Sequence, residues 1–249
     1  MKAAVLHAPR DLRVEPTPAP EPGPTEVLVR VSLAGLCGTD YRIWTGDRAV
    51  VYPRVMGHEF VGRVDAVGRD VRSVRAGDRV VVEPNYSCGR CPLCREGNRN
   101  LCFQRTAVGI DVDGAFAELT RVPERCCWKV PARVADDDAL LAEPLAVVAR
   151  AVKRSAARAG ETAAVVGAGT LGLLALQILT AQGVRVLVVG RTPRRFEMAR
   201  ELGAAETRET CALAQRQVEV VGRVDDVNRG VNRVLGIDAG LATRSCQRK

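Results

Sequence analysis

A chain of 249 residues with 47% hydrophobic side chains carries enough apolar material for packed cores, which excludes an intrinsically disordered protein and suggests two domains. A net charge of +8 raises nucleic acid as a partner, but the basic residues are nearly all arginine, spread along the whole chain. Aromatics are only 4%, so no basic and aromatic stripe is available to bind it. No apolar run approaches the roughly eighteen residues of a membrane span, and MKAAVLHAPRDLRVEP lacks a signal-peptide core, so a cytoplasmic protein with reduced thiols is expected.

Residues 1–135 read as β-rich. EVLVRVSLAG, FVGRVDAVG and DRVVVEP are short β-branched runs bounded by Gly, Pro and Asp turn signals, and Pro16–Glu26 is a Pro-rich extended loop before the first strong strand. From about Ala139 the pattern turns helical: ALLAEPLAVVARAVKRSAARAG spaces its Leu, Val and Ala as a helix ending at Gly160. AAVVGAGTLGLLALQILTAQG and VRVLVVGRTPRRFEMARELGA then read as strand–helix–strand–helix. A boundary between Leu140 and Gly160 divides the chain into a domain of residues 1–150 and one of residues 151–249. After Ala204 the periodicity is contradictory and no aromatic residue occurs, so 205–249 is atypical and the parallel sheet is expected to be incomplete.

Four cysteines fall within fifteen residues, Cys88, Cys91, Cys94 and Cys102, spaced C-x2-C-x2-C-x7-C. A disulfide knot is disfavoured in a reducing compartment; a redox centre, a zinc module or a structural brace remain open on spacing alone. Upstream lie Cys37-Gly38-Thr39-Asp40 and Gly57-His58-Glu59, and downstream Glu143-Pro144 at a helix start. A catalytic zinc site takes three protein ligands plus water, and Cys37, His58 and one or both of Glu59 and Glu143 supply such a set. The only other histidine, His7, has no chemical role in this reading.

A lone G-x-G-x-x-G is a weak signal, but Gly167-Ala168-Gly169-Thr170-Leu171-Gly172 follows an apolar strand and opens an apolar helix. Gly167 would make the tight turn, Gly169 would let a pyrophosphate approach the backbone, and Gly172 would allow close helix–strand packing. The acidic residue that would bind the NAD ribose is absent at Gly190, which is followed by Arg191, Thr192, Pro193, Arg194 and Arg195. Arg191 and Arg195 suit a 2′-phosphate, so NADP is favoured over NAD.

GHEFVGRVDAVG, CGTD, the four-cysteine lobe, EPLA and GAGTLG occur in the order and spacing of the zinc-containing medium-chain dehydrogenases, and the chain most resembles their polyol, sorbitol and threonine dehydrogenase branch over about residues 1–205. The resemblance implies an α/β chain: a GroES-like β-rich catalytic domain followed by a Rossmann domain, with the active site between them. It implies a catalytic zinc on Cys37 and His58, with Glu59 as ligand or close partner and Glu143 at the position of the remaining ligand. Thr39 matches the hydroxyl that passes on the substrate's proton. Cys88, Cys91, Cys94 and Cys102 match the second, closed zinc site, a brace with no position for substrate. Cys126, Cys127, Cys211 and Cys246 have no ligand spacing and are read as structural or incidental.

The implied function is hydride transfer between a small-molecule alcohol or polyol and a nicotinamide, with no nucleic-acid or membrane partner. Two departures bear on it. The family's relay histidine is replaced by Arg42, which cannot give up a proton near neutral pH, so the relay would run through water or the cofactor ribose. Arg42 could instead meet an anionic substrate group, or be a solvated surface arginine. The segment after Ala204 shows neither the strand that carries the nicotinamide end nor the return segment of the catalytic domain. An incomplete sheet is expected to leave the chain poorly stable or inactive unless a partner completes it, and puts the family's homo-oligomer in doubt. The alternative is a shortened, non-catalytic homologue that keeps both zinc sites.

Overall fold

The computed structural model describes residues 1–209 and 219–221. The chain divides into two compact units, Met1–Glu143 and the residues from Pro144 onward. No helix among the described residues is long and apolar enough to cross a membrane.

The first unit runs β1 (Lys2–Ala8), β2 (Asp11–Pro16), β3 (Glu26–Gly35), α1 (Gly38–Thr45), β4 (Arg54–Val55), β5 (Glu59–Val67), β6 (Arg79–Val82), β7 (Asn85–Tyr86), α2 (Pro92–Arg95), β8 (Thr106–Ala107), β9 (Leu119–Pro123), β10 (Cys127–Lys129) and α3 (Asp136–Leu140). Its main sheet has the order β10-β6-β5-β3-β9 with antiparallel neighbours, and a smaller sheet has the order β2-β1-β4. The β-branched runs legible in the sequence build the main sheet. Val27, Val29, Phe60, Val64, Val80, Val82, Val108 and Val122 are buried together as its core, as expected of residues that pack well on a pleated surface. The hairpin of β1 and β2 precedes the Pro-rich loop and was not legible: it alternates poorly, and Leu12 and Val14 face solvent.

The second unit holds most of α4 (Ala142–Ser155), then β11 (Thr162–Val166), α5 (Thr170–Ala181), β12 (Arg185–Gly190), α6 (Pro193–Glu201), β13 (Glu206–Glu209) and β14 (Glu219–Val221). The sheet order is β13-β12-β11-β14, with β11, β12 and β13 parallel and β14 antiparallel to β11. Val165, Val186 and Val188 pack against Leu174, Leu176, Leu179 and Phe196. One expectation is corrected. The helix expected to end at Gly160 stops at Ser155, and the left-handed residue after it is Ala156, with φ +54°. Past Ala204, where no element could be read, the parallel sheet gains one more strand. β13 pairs Leu187 with Glu206 through Gly190 with Glu209, but its charged sequence ETRE, on an edge strand, carries no period-2 apolar signal.

Candidate metal centres and nucleotide turn

The register of β3 against β5 places Gly35 opposite Glu59. Cys37 lies two residues past that pair and His58 one residue before it, so one ladder brings together side chains twenty-one residues apart. The sulfur of Cys37, a ring nitrogen of His58 and a carboxylate oxygen of Glu59 all lie within 4.8 Å of one another. Cys37 and Glu59 are half-buried, and His58 is buried.

Behind this cluster stands Asp40, 1% exposed. It is the third residue of α1, and its Oδ2 accepts the Cys37 N–H at 2.9 Å, capping the helix. Its Oδ1 accepts the Gly57 N–H at 3.3 Å and lies 3.5 Å from His58 Nδ1. That last contact is an ion-pair approach and not an aligned hydrogen bond, and Nδ1 is buried without a hydrogen-bond partner among the described residues. Burial disfavours charge on His58, but Asp40 and Cys37 outweigh it and push the pKa up to about 10. The buried Asp40 carboxylate beside the ring favours a cation here, and a metal would take the place of the proton. A thiolate, an imidazole and a carboxylate fit zinc with a position left open.

Gly57 has φ +93°, and a Cβ there would lie 2.5 Å from the Phe116 ring. Cβ atoms on Gly109 and Gly114 would meet the Gly57 carbonyl oxygen at 2.6 and 2.2 Å. Only glycines allow this crossing of two loops, and His58 is the next residue along. Asp40, Gly109, Gly114 and Phe116 were not singled out from the sequence. For Asp40 a signal existed, an acidic residue three positions after a helix start; for the loop pair none did, because the two loops meet only in space.

Thr39, half-buried, is the second residue of α1, and Arg42 is exposed on the same helix. Glu143 is half-buried and lies outside the 4.8 Å cluster. Its carboxyl pKa is raised, by burial first and then by the charge of Glu59, with His58 partly offsetting both. His7 lies elsewhere, with Nε2 3.0 Å from Glu15 Oε1.

The ligand atoms of Cys88, Cys91, Cys94 and Cys102 also lie within 4.8 Å of one another. Backbone amides point at the sulfurs: Cys88 N–H and Gln104 N–H donate to Cys102 Sγ, each at 3.3 Å, and Cys91 N–H donates to Cys88 Sγ at 3.4 Å. Amides of Arg90 and Cys91 draw the Cys88 thiol down to about 6, while burial pushes Cys94 up to about 11. Four sulfurs held by amides fit a closed tetrahedral zinc. Cys126 and Cys127 lie outside this cluster, and burial raises them to about 11 and about 12, the pattern of inert core thiols. Cys211 and Cys246 lie outside the described residues.

In the second unit, Gly167 turns the chain after β11 with φ +107°, and its N–H donates to the Val189 carbonyl at 2.7 Å. A Cβ on Gly172 would stand 1.8 Å from the Gly167 carbonyl oxygen, so α5 can start this close to the strand only with glycine there. Gly169 is different. Among the described residues, and apart from its own chain neighbours, the only atom within 4 Å of a Cβ there is Arg195 Nη1, at 3.6 Å, which leaves a cradle at the N-terminus of α5 between Ala168 and Thr170, with Leu171 packed on the core. Gly190 is buried at the end of β12, and Arg191 and Arg195 beyond it are exposed.

The alcohol dehydrogenase GroES-like domain family matches residues 23–132. Sorbitol dehydrogenase from Bacillus subtilis (strain 168) is 37% identical over 210 residues, covering 82% of this chain and 60% of that protein. A protein from Sinorhizobium meliloti 1021, described as a zinc-binding dehydrogenase and bound to NADP, superposes with a TM-score of 0.80 at 38% identity over 83% of this chain and 60% of its own. An alcohol dehydrogenase from E. coli CFT073 complexed with NADH gives 0.80 at 39% identity, over 85% and 63%. The chain thus spans about three fifths of the length of these relatives.

Proposed function

Since the chain belongs to the zinc-containing medium-chain dehydrogenases, with their GroES-like and Rossmann-type α/β architecture, we propose that it is a zinc-dependent oxidoreductase exchanging a hydride between a small alcohol or polyol and a nicotinamide cofactor. The observation that carries this reading is the Cys37, His58 and Glu59 cluster with the buried Asp40 behind it.

In this reading Cys37, His58 and Glu59 hold the catalytic zinc, and Cys88, Cys91, Cys94 and Cys102 hold a structural one. Bound there, zinc would polarise the substrate oxygen and lower the pKa of its hydroxyl, while the nicotinamide would accept the hydride. Asp40 fixes the orientation of the His58 ring, the role of a carboxylate behind a metal-bound histidine. The Thr39 hydroxyl accepts and passes on the substrate's proton; Arg42, always protonated, cannot, so the proton leaves by water. Glu143, whose carboxyl pKa is raised by burial and then by the Glu59 charge, would join the metal or stand close beside it.

Gly169 and the N-terminus of α5 would hold the pyrophosphate. Arg195, whose guanidinium flanks that cradle, and Arg191 would take up the 2′-phosphate of NADP. Relatives bound to NADP and to NADH are about equally similar to this chain, so the arginines and the lack of an acid at Gly190 support the preference. A cytoplasmic setting, which keeps thiols reduced, would suit both clusters.

Titration of the zinc-loaded chain with NADPH and, in parallel, NADH, followed by nicotinamide fluorescence, tests the reading. Saturable binding with NADPH preferred supports it, and alcohol-dependent NADPH formation completes it. Folded, zinc-replete protein that binds neither cofactor would leave the alternative, a homologue that keeps its zinc scaffold without the chemistry.

A further inference from the structure

The geometry points to Asp113 as the positioning residue of the Cys37, His58 and Glu59 metal site, acting through the backbone of Val55; this inference rests on the proposal that the cluster binds zinc. Asp113 Oδ1 accepts the Val55 N–H and an Arg54 Nη1–H, both at 3.1 Å. From that anchor the loop runs alongside residues 55–57. Gly114 N–H donates to the Val55 carbonyl at 2.8 Å, Ala115 N–H to that of Gly57 at 2.9 Å, and Phe116 N–H to that of Met56 at 2.9 Å.

The loop is itself rigid. Asp111 N–H donates to the Ala107 carbonyl at 2.8 Å, Gly109 N–H to that of Val112 at 2.8 Å, and Asp111 Oδ2 accepts the Ala107 N–H at 2.8 Å. Gly109, Gly114 and Phe116 then close on Gly57 from three directions. Residues 107–116 therefore form a preorganised mould around the turn that aims His58, and Asp113 sets the register of turn against mould.

Two effects of Asp113 must be separated. Its side chain is 67% exposed, so its ion pair with Arg54 contributes little by itself. The Arg54 side chain is only 13% exposed, however, and its Nε has no hydrogen-bond partner among the described residues, so removing Asp113 also strands a nearly buried guanidinium. The inference is that the acceptor for Val55, and not the charge on Arg54, governs the metal site.

Zinc release from the full chain into a graded chelator tests this, with Cys37→Ser identifying which of the two zincs belongs to the Cys37 site. Asp113→Ala is expected to loosen that zinc about tenfold, the scale of losses from groups supporting metal ligands, and to leave the four-cysteine zinc unchanged as the control for folding. Asp113→Asn, which keeps an oxygen acceptor, is expected to bind like the wild type. Arg54→Met combined with Asp113→Ala is expected to stay loose. Wild-type affinity in Asp113→Ala, full recovery in the double variant, or equal loosening in Asp113→Asn each overturns the inference. A wild type that takes up only the four-cysteine zinc overturns the metal reading itself, and so is distinguishable.

Discussion

The Asp40 carboxylate reaches three groups at once: the Cys37 N–H, the Gly57 N–H and, at 3.5 Å, Nδ1 of His58. One buried side chain thus ties the helix that begins at one metal-ligand candidate to the turn that carries another. Asp40→Ala leaves two amide donors without their acceptor, at about 1–3 kcal/mol for each. Urea denaturation of the metal-free protein should show a loss of about 2–6 kcal/mol for the two together, with Asp40→Asn losing less because an oxygen acceptor remains. Equal losses in both variants would mean that charge and not capping is what Asp40 supplies.

The raised pKa of His58 gives a pH dependence with a definite sign. Its folded value of about 10 lies above the ordinary 6.5, so the folded state binds the proton more tightly than the unfolded state does. Stability from this group is complete below about pH 6.5 and is lost as pH rises toward 10. Metal-free protein should therefore melt at lower temperature at pH 9 than at pH 6.5. Zinc competes with the same proton, so zinc affinity at the Cys37 cluster should climb over that window. An Asp40→Asn variant, with one stabilising charge removed, should show a smaller drop in melting temperature.

The parts of the fold that could be read beforehand are those whose chemistry is local. The four cysteines announce themselves by spacing, and G-x-G-x-x-G by its place between an apolar strand and an apolar helix. The β-branched runs of β3 and β5 gave the main sheet, though not its register, which pairs Gly35 with Glu59 and thereby brings Cys37, His58 and Glu59 together. Cys37, His58 and Glu59 could be nominated because they sit in motifs. The glycines around Gly57 could not, since their requirement comes from a loop more than fifty residues away. β13 was missed because an edge strand of charged residues looks like a turn in sequence.

The two glycines of the nucleotide turn should separate stability from binding. Gly172→Ala forces a methyl group against the Gly167 carbonyl oxygen, 1.8 Å away, and should destabilise the protein by about 1–3 kcal/mol as α5 shifts. Gly169→Ala has open space and should melt like the wild type, yet should lose most nicotinamide affinity because its methyl group occupies the pyrophosphate's place. Paired melting curves and NADPH titrations check both. Normal binding by Gly169→Ala would remove this turn from cofactor recognition.

The lobe from Cys88 to Cys102 has almost no apolar interior: Cys94 and Cys102 are buried, while Leu101 and Phe103 face solvent. A metal would serve as its core. Chelation should expose Arg90, Arg95 and Arg99 to trypsin while the sheet of the first unit stays protected, and Cys94→Ser should do the same in the presence of zinc. Cleavage patterns that do not change with chelator would show the lobe to be held without metal.

The two clusters also differ in how much chain must be folded before each exists. The four sulfurs lie within fifteen consecutive residues and need only short loops to close. Cys37 and His58 converge only once β3 and β5 have zipped into register, a non-local pairing that forms slowly. On the proposed reading, metal uptake would have an order in time. The lobe would load before the sheet is complete, and the second ion would enter only after β3 and β5 have paired, so its arrival would report on that pairing.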